Sequence, residues 1–177
     1  AFARWGPLWS RVEAGPGRWG AGTAHEVMAP GAAGEDEVGC CGCGYAANVE
    51  LARSILGVPE FPAAGPEEIA TPDARTIDEV SSFLEIDPAL LIKSILVIAE
   101  AGPVLAMVRG DQELQESKLN RIIGAHHPAG PEEIKEFTGS AAGFIGPVGL
   151  NTRKIADESL RLGVFVTGAN KEGYHIW

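Results

Sequence analysis

Long apolar runs are absent from this sequence, although 45% of its 177 residues are hydrophobic. No stretch approaches the roughly 20 consecutive apolar residues of a membrane-spanning helix, so the sequence predicts no membrane span. The chain does not open on a basic segment followed by an apolar one, and therefore shows no sign of a signal peptide. Because the sequence starts at Ala1 and stops at Trp177, inside a predicted strand, we expect both ends to be interruptions.

Cysteine is scarce as well, and Cys40, Cys41 and Cys43 are its three occurrences. Near neighbours cannot easily pair with one another, and no other cysteine exists to receive them. A disulfide framework is therefore not expected, and the usage fits a reducing cytoplasm. The spacing of Cys40 and Cys43 is that of half a zinc site, but a structural site needs four ligands and no second pair follows. Ordinary thiols in a turn are the favoured interpretation, and zinc is the alternative.

Basic side chains are outnumbered by acidic ones, 14 to 24, and the net charge at pH 7 is −10. Proteins that grip a nucleic acid along its backbone carry clustered Lys and Arg, which neutralise the phosphates. The charge balance therefore argues against binding to a long stretch of DNA or RNA. Recognition of one nucleotide at the end of a strand stays compatible with it.

Glycine and proline divide the chain into three parts. Residues 1–38 are rich in Gly and Ala without sustained periodicity, which predicts a loop-rich segment. Residues 45–56 are predicted to form a short helix. Residues 57–70, which contain three prolines, are predicted to be a linker. From residue 71 onward the pattern is that of a compact α+β domain, a mixed β-sheet with helices packed around it.

Local signals after residue 71 predict alternating helices and strands. Thr76 and Glu79 form a capping box at the start of one helix, and Asp87-Pro88 opens a second short helix that carries Lys93. The other predicted elements are a hairpin of two strands (94–99 and 104–109), helices at 112–123 and from 131, a glycine-rich loop (143–149) and two last strands (164–167 and 174–177).

Six stretches follow one another after residue 71: TPDARTIDEVSSFL, LLIKSIL, AMVRGDQELQESKL, GFIGPVGL, KIADESL and VTGANKEGYH. In order and spacing they resemble the insertion (editing) domain of bacterial-type prolyl-tRNA synthetases and the wider family of free-standing prolyl- and cysteinyl-tRNA deacylases. The resemblance implies an editing domain of the deacylase fold at 71–177, a linker at 57–70 and a partial segment of a class II synthetase body at 1–56.

The synthetase-body segment departs from the family pattern. Gly15-Pro16 stand where the family has Asp-Ser, and Ala21-Gly22 replace Gly-Ser. The synthetase motifs that bind ATP are absent from the sequence. We therefore do not expect this chain to activate proline by itself.

The resemblance assigns roles to Lys93 and to a glycine loop. Lys93 would hold the terminal phosphate or position the ester; the alternative is a lysine at a helix end whose stem packs while its ammonium reaches solvent. Gly143, Gly146 and Pro147 match the Gly-x-x-x-Pro loop of the family, which would orient the aminoacyl carbonyl and a water through backbone N–H groups. The alternative for this loop is a tight turn between strands.

His175 and Asp157 complete the catalytic set that the resemblance implies. His175, in the final predicted strand, would hydrogen-bond the substrate or a water, and its alternative is a packed core residue. Asp157 has the alternative role of a helix cap at the start of the segment that follows it.

The implied function is hydrolysis of mischarged Ala-tRNA(Pro) by attack of water on the aminoacyl ester. An activated ester needs only a placed water, stabilisation of the oxyanion and a hold on the terminal adenosine. No cofactor is expected because water is the co-substrate. No metal site is expected, because His126 and His127 precede a proline and are predicted to lie in a surface turn.

The implied partners are the 3′ end of tRNA(Pro) carrying alanine and the remainder of a synthetase, with neither membrane nor DNA. Because proline is larger than alanine, a small pocket would admit the mischarged residue and exclude the cognate one. Two alternatives stay open: a deacylase for another small amino acid such as Cys on tRNA(Pro), and a non-catalytic fragment that binds tRNA or a synthetase.

Overall fold

The computed structural model describes residues 9–15, 24–31, 33–57, 59–60 and 67–177. The chain divides into two compact units, Ala1–Ile55 and Leu56–Trp177. Within the described residues, no helix is both long and apolar enough to cross a membrane.

The Ala1–Ile55 unit contains a four-stranded sheet in the order β2-β1-β4-β3. Its strands are β1 (Ser10–Ala14), β2 (Ala24–Met28), β3 (Val38–Cys40) and β4 (Ala46–Asn48). The helix predicted at 45–56 is wrong, because Ala47 pairs with Gly39 of β3 and with Glu13 of β1. Ala47 is fully buried between these strands, and burial in a sheet outweighs a local helix propensity.

The three cysteines lie at the hairpin between β3 and β4, and all three are exposed. The N–H of Gly44 donates to the carbonyl of Cys41, which closes the turn. The Sγ atoms of Cys41 and Cys43 are 2.9 Å apart, and this contact lowers the pKa of the Cys43 thiol. In the part of the chain that the structure describes, no three His, Cys, Asp or Glu side chains are grouped as metal ligands would be.

The Leu56–Trp177 unit is built on a second four-stranded sheet, in the order β8-β6-β7-β9. Its strands are β6 (Ile92–Ala99), β7 (Gly102–Arg109), β8 (His126–Pro128) and β9 (Arg153–Ala156). The β6–β7 pair confirms the predicted hairpin. Because β9 runs parallel to β7 while the other pairs are antiparallel, the sheet is mixed, as predicted.

The surface turn predicted for His126 and His127 is wrong, since both lie in β8 and pair with β6. The side chain of His126 is only 3% exposed and contacts Glu116. Gly124, with φ +76°, ends the preceding helix, and the edge of β6 then pairs with the chain through backbone hydrogen bonds.

Successive residues of β6 and β7 face opposite sides of the sheet, as the period of a strand requires. Val97 and Ala106 pack with Leu119 of α2 (Glu116–Ile123) on one side. Leu96 and Leu105 pack on the other side, where Ile134 and Ile145 cover them. Ile134 belongs to α3 (Pro131–Thr138), and Ile145 belongs to the predicted glycine loop. This packing attaches the loop to the sheet.

The capping box at Thr76 and Glu79 is confirmed and starts α1 (Ile77–Leu84). The second short helix is wrong in extent: a single 3₁₀ turn, Pro88–Leu90, ends before Lys93. Lys93 instead lies in β6, where it pairs with Val108 of β7. The Asp87 side chain caps only one turn, after which pairing with β7 satisfies the backbone.

A three-stranded sheet in the order β10-β11-β5 completes the unit. Its strands are β5 (Glu68–Ala70), β10 (Thr167–Gly168) and β11 (Tyr174–Ile176). The last two strands are shorter than predicted, and β5 takes up the final three residues of the predicted linker. The N–H of Ile92 donates to the carbonyl of Val166 at 2.8 Å, which joins the start of β6 to the segment before β10.

Candidate active site

A cavity of about 580 Å³ lies in the Leu56–Trp177 unit. Its wall is formed by the start of α1, the start of β6, the turn after β7, the glycine loop and β11. The structure brings Lys93, Gly143 and His175 together in this wall, although they are far apart in sequence. Gly146, Pro147 and Asp157 lie outside it.

Lys93 presents its ammonium at the cavity wall with the side chain 23% exposed. The Nζ atom donates to the carbonyl of Gln112 at 3.0 Å and to Glu113 Oε1 at 2.6 Å. An ammonium carries three N–H donors. Two of them are used by these contacts with the described residues, so the third is available for a ligand. The Glu113 side chain is 88% exposed, and an anionic substrate group can therefore compete with it for the lysine.

The glycine loop approaches its neighbours more closely than any side chain would permit. Gly143 has φ +93°, and a Cβ there would lie 2.7 Å from the Cβ of Arg75. At Gly146 a Cβ would lie 1.9 Å from the carbonyl oxygen of Gly168. The first glycine is therefore needed for its conformation and its contact, and the second for its contact alone. Gly143 and Ile145 face the cavity.

His175 lines the cavity and is buried, with 5% of its surface exposed. Its Nδ1 atom lies 2.7 Å from the hydroxyl oxygen of Thr71, which is itself fully buried. The imidazole also packs against Phe144, with ring centroids 5.7 Å apart. Burial lowers the pKa of His175 below its ordinary 6.5, and a backbone hydrogen bond to Gly143 acts in the opposite direction. The ring is therefore neutral near pH 7 and can hydrogen-bond without adding a charge.

The lowered pKa of His175 makes the stability of the unit pH-dependent. As the pH is lowered below 6.5, the unfolded chain binds a proton at this histidine before the folded chain does. The free energy of unfolding therefore decreases as the pH is lowered, until the folded pKa is reached. We expect the wild-type protein to lose up to about 1.4 kcal/mol per pH unit in that window relative to His175→Gln. Urea unfolding at pH 7.5, 6.5 and 5.5 measures it. Parallel curves for the two proteins would contradict the prediction.

Asp157 is a helix cap in the structure, which is the alternative role considered for it above. Its Oδ1 atom accepts a hydrogen bond from the N–H of Ser159 at 2.9 Å and caps the 3₁₀ turn Glu158–Leu160. Asp157 is not among the residues that line the cavity, so its position does not suggest a contact with a substrate bound there. We therefore leave Asp157 out of the proposed machinery.

Sequence reasoning missed several polar groups at or beside the cavity. The Ser94 hydroxyl is buried, lines the cavity and has no hydrogen-bond partner among the described residues. Arg75 lines the cavity with its guanidinium 5.5 Å from the ring centre of Phe144. Thr71 orients His175, and Asn170 contacts the glycine loop. Thr71 and Asn170 stand in the first and last of the six stretches, which is the signal that could have found them.

An ion pair with Arg109 holds the Asp111 carboxylate in place at the cavity wall. Arg109, 7% exposed, donates from Nε and Nη2 to the two carboxylate oxygens of Asp111, each at 2.6 Å. These hydrogen bonds lower the pKa of Asp111 and raise that of Arg109. The side chain of Asp111 therefore stays ionised and paired, and the turn after β7 is held against the cavity.

An α+β domain with such a cavity, walled by a lysine, glycine backbone and a neutral histidine, is suited to binding a small ester beside an anionic group. The family model for the aminoacyl-tRNA editing domain matches residues 71–177. The chain therefore belongs to the aminoacyl-tRNA editing domain family, a family of deacylases, as the six stretches predicted.

Similar proteins extend the match beyond the editing domain. The proline–tRNA ligase of Thermodesulfovibrio yellowstonii is 46% identical over 99% of this chain and 31% of that protein. That of Oleidesulfovibrio alaskensis is 43% identical over 99% of this chain and 32% of that protein. The chain thus spans about a third of the length of the curated relatives it matches. The similarity includes residues before 71, where a synthetase-body segment is predicted.

A solved structure supports the same fold. The crystal structure of a candidate trans-editing enzyme for prolyl tRNA synthetase superposes with a TM-score of 0.56 and 27% identity. The superposition covers 63% of this chain and 74% of that one. The mixed sheet with packed helices is therefore the editing-domain fold.

Proposed function

We propose that this domain hydrolyses mischarged Ala-tRNA(Pro), removing alanine from the 3′ end of tRNA(Pro). The observation that carries the proposal is the meeting of Lys93, Gly143 and His175 in one cavity wall. Each supplies one thing that ester hydrolysis at a nucleic-acid end needs. The lysine offers a cation for the anionic end, the loop offers close backbone approach, and the histidine offers an uncharged hydrogen-bonding ring.

Water is the nucleophile in this proposal. Lys93 holds the terminal phosphate or the ester through its free N–H, and the backbone of Gly143 and Ile145 faces the aminoacyl carbonyl. Preorganised donors aimed at a developing oxyanion are among the largest catalytic terms available to an enzyme. His175, which is hydrogen-bonded to Thr71 and to the backbone of Gly143, orients the substrate or the attacking water through the loop that it supports. Bringing the reacting groups together in one geometry lowers the barrier further.

Gly146 and Pro147 are not proposed to donate backbone hydrogen bonds to the substrate. The N–H of Gly146 donates to the side chain of Asn170 at 2.9 Å and is not offered to the cavity. Gly146 and Pro147 therefore serve the shape of the loop, while Gly143 and Ile145 present it to the substrate.

Discrimination between alanine and proline would come from the size of the space beside the ester. A pocket that excludes a larger residue sterically rejects it more strongly than one that merely binds it less well. We further propose that the domain works in the cytoplasm as part of a longer proline–tRNA ligase, whose other parts bind the body of tRNA(Pro). The net charge of −10 is consistent with leaving that task to the rest of the protein.

Deacylation of matched tRNAs tests the proposal. We expect the protein to release alanine from Ala-tRNA(Pro) at least tenfold faster than proline from Pro-tRNA(Pro), since a size difference of about two methylenes gives 10- to 200-fold discrimination or more. Cys-tRNA(Pro) is the third substrate, and faster release of cysteine would change the assigned amino acid. Binding of tRNA without release of any amino acid would overturn the proposal in favour of a non-catalytic module.

A further inference from the structure

Asn170 has a backbone conformation that few side chains tolerate. Its φ is +54°, in the left-handed region, where Asn is one of the residues that is accommodated most readily. It lies two residues after the end of β10, in the turn to β11. Glycine would adopt this conformation at less cost, so the side chain itself requires an explanation.

The side chain of Asn170 is bonded to the glycine loop at every polar position. Its Oδ1 atom accepts from the N–H of Gly146 at 2.9 Å, and its Nδ2 atom donates to the carbonyls of Gly146 at 3.0 Å and Val148 at 2.8 Å. The Asn170 N–H donates to the carbonyl of Phe144 at 2.8 Å. Four hydrogen bonds from one residue thus reach three residues of the loop, and one amide completes a two-way pair with Gly146.

The contact is possible because two glycines bring the backbones together. A Cβ at Gly168 would lie 2.3 Å from the carbonyl carbon of Phe144, just as one at Gly146 would meet Gly168. The loop and the segment 168–170 therefore touch main chain to main chain. The Asn170 amide hydrogen-bonds to the backbone of the loop as a neighbouring β-strand would, although the loop itself is not a strand.

We propose that Asn170 is a positioning residue, whose side-chain amide fixes the glycine loop in the geometry required for ester hydrolysis. The inference rests on the proposed function, because it assumes that Gly143 and Ile145 face the aminoacyl carbonyl. Asn170 acts through the loop and has no assigned contact with substrate. A misplacement of about 1 Å at such a site can reduce a rate about 100-fold, so a loop without regular structure needs such an anchor.

Asn170→Gly tests the anchor without straining the backbone, since glycine accepts the positive φ. We expect kcat for Ala-tRNA(Pro) to fall about tenfold or more with KM changed less than about threefold, because placement is lost while the binding cation is kept. Amide hydrogen exchange at Gly146 should become at least about tenfold faster, because its N–H loses its acceptor. Glu85→Gly is the matched control, since Glu85 has φ +55° at the end of α1 and should leave both readouts at wild-type values.

Asn170→Asp separates positioning from a general loss of stability. The introduced carboxylate keeps an acceptor for the Gly146 N–H but turns its second oxygen toward the carbonyls of Gly146 and Val148. Protonation restores one donor and removes that repulsion. We therefore expect the ratio of variant to wild-type kcat to rise as the pH is lowered from 7.5 to 5.5. Urea unfolding of the variant at both pH values gives its folded fraction. A merely destabilised variant would have wild-type kcat per folded molecule at both pH values, and that result would contradict the positioning role.

The readouts distinguish this inference from the proposed function. Wild-type kcat for Asn170→Gly, with Gly146 exchange also unchanged, would overturn the positioning role. Wild-type kcat with accelerated exchange would overturn it too, since the loop would then not need the anchor for catalysis. If the wild-type protein itself released no amino acid, the proposed function would fall, and unchanged Gly146 exchange in Asn170→Gly would still overturn the anchor.

Discussion

Lys93→Ala is expected to lower kcat/KM for release of alanine from Ala-tRNA(Pro) by about 100-fold or more. Removal of one preorganised donor from a site that stabilises an anion typically costs 100- to 1000-fold in rate. Among the proposed catalytic residues Lys93 supplies the charge, since Gly143 is backbone and His175 is neutral near pH 7. The loss should therefore be larger than that for Asn170→Gly, which disturbs the site only indirectly.

The stability of the Lys93→Ala protein should stay close to that of the wild type. The ion pair that is lost has Glu113 as its partner, 88% exposed, and pairs of this kind contribute about 1 kcal/mol or less. Lys135→Ala is the control, because Lys135 also donates to a backbone carbonyl, that of Gly139, and lies outside the cavity wall. Single-turnover deacylation with urea unfolding of each variant makes the comparison. Equal rates for the wild type and Lys93→Ala would remove the lysine from the mechanism.

The sequence predicted those elements whose signals are local. The capping box at Thr76 and the hairpin around Gly102 were predictable because hydrogen bonds within a few residues, or an apolar run on either side of a turn, determine them. The segment 45–56 was mispredicted as a helix. Its alanines suit a helix in isolation, but burial of Ala47 between two strands decided the outcome, and no short window of sequence contains those strands.

Only those residues of the candidate site that the family resemblance assigns could be predicted from the sequence. The resemblance gave Lys93, Gly143 and His175, which the fold brings into one wall. It could not show that the N–H of Gly146 is bound by Asn170, since the two are 24 positions apart and neither carries a charge or an unusual spacing. Nor could it separate a capping Asp157 from a catalytic one, because an aspartate before a short helical turn has the same pattern in both roles.

Gly146→Ala is expected to destabilise the Leu56–Trp177 unit by about 3 kcal/mol, at the upper end of the usual cost of overpacking. The added Cβ would lie 1.9 Å from the carbonyl oxygen of Gly168, a backbone atom that cannot move aside as the end of a flexible side chain can. The loop must therefore separate from the segment 168–170. We expect deacylation of Ala-tRNA(Pro) to fall about 100-fold in the fraction that stays folded.

Gly57→Ala is the matched control for the glycine substitution. A Cβ at Gly57 would meet no atom within 4 Å, and its carbonyl, which accepts from Arg109, is kept. Urea unfolding should therefore show a change below about 0.5 kcal/mol for Gly57→Ala. A Gly146→Ala protein as stable and as active as this control would show that the loop and the segment 168–170 need not touch.

A double variant tests whether one contact accounts for both glycines. Gly168→Ala places its Cβ 2.3 Å from the carbonyl carbon of Phe144, so it should push the same two segments apart from the opposite side. Once one alanine has separated them, the second costs little more. The loss of stability in Gly146→Ala with Gly168→Ala should therefore be smaller than the sum of the two single losses by about 1 kcal/mol or more. Additive losses would mean that the two glycines act independently.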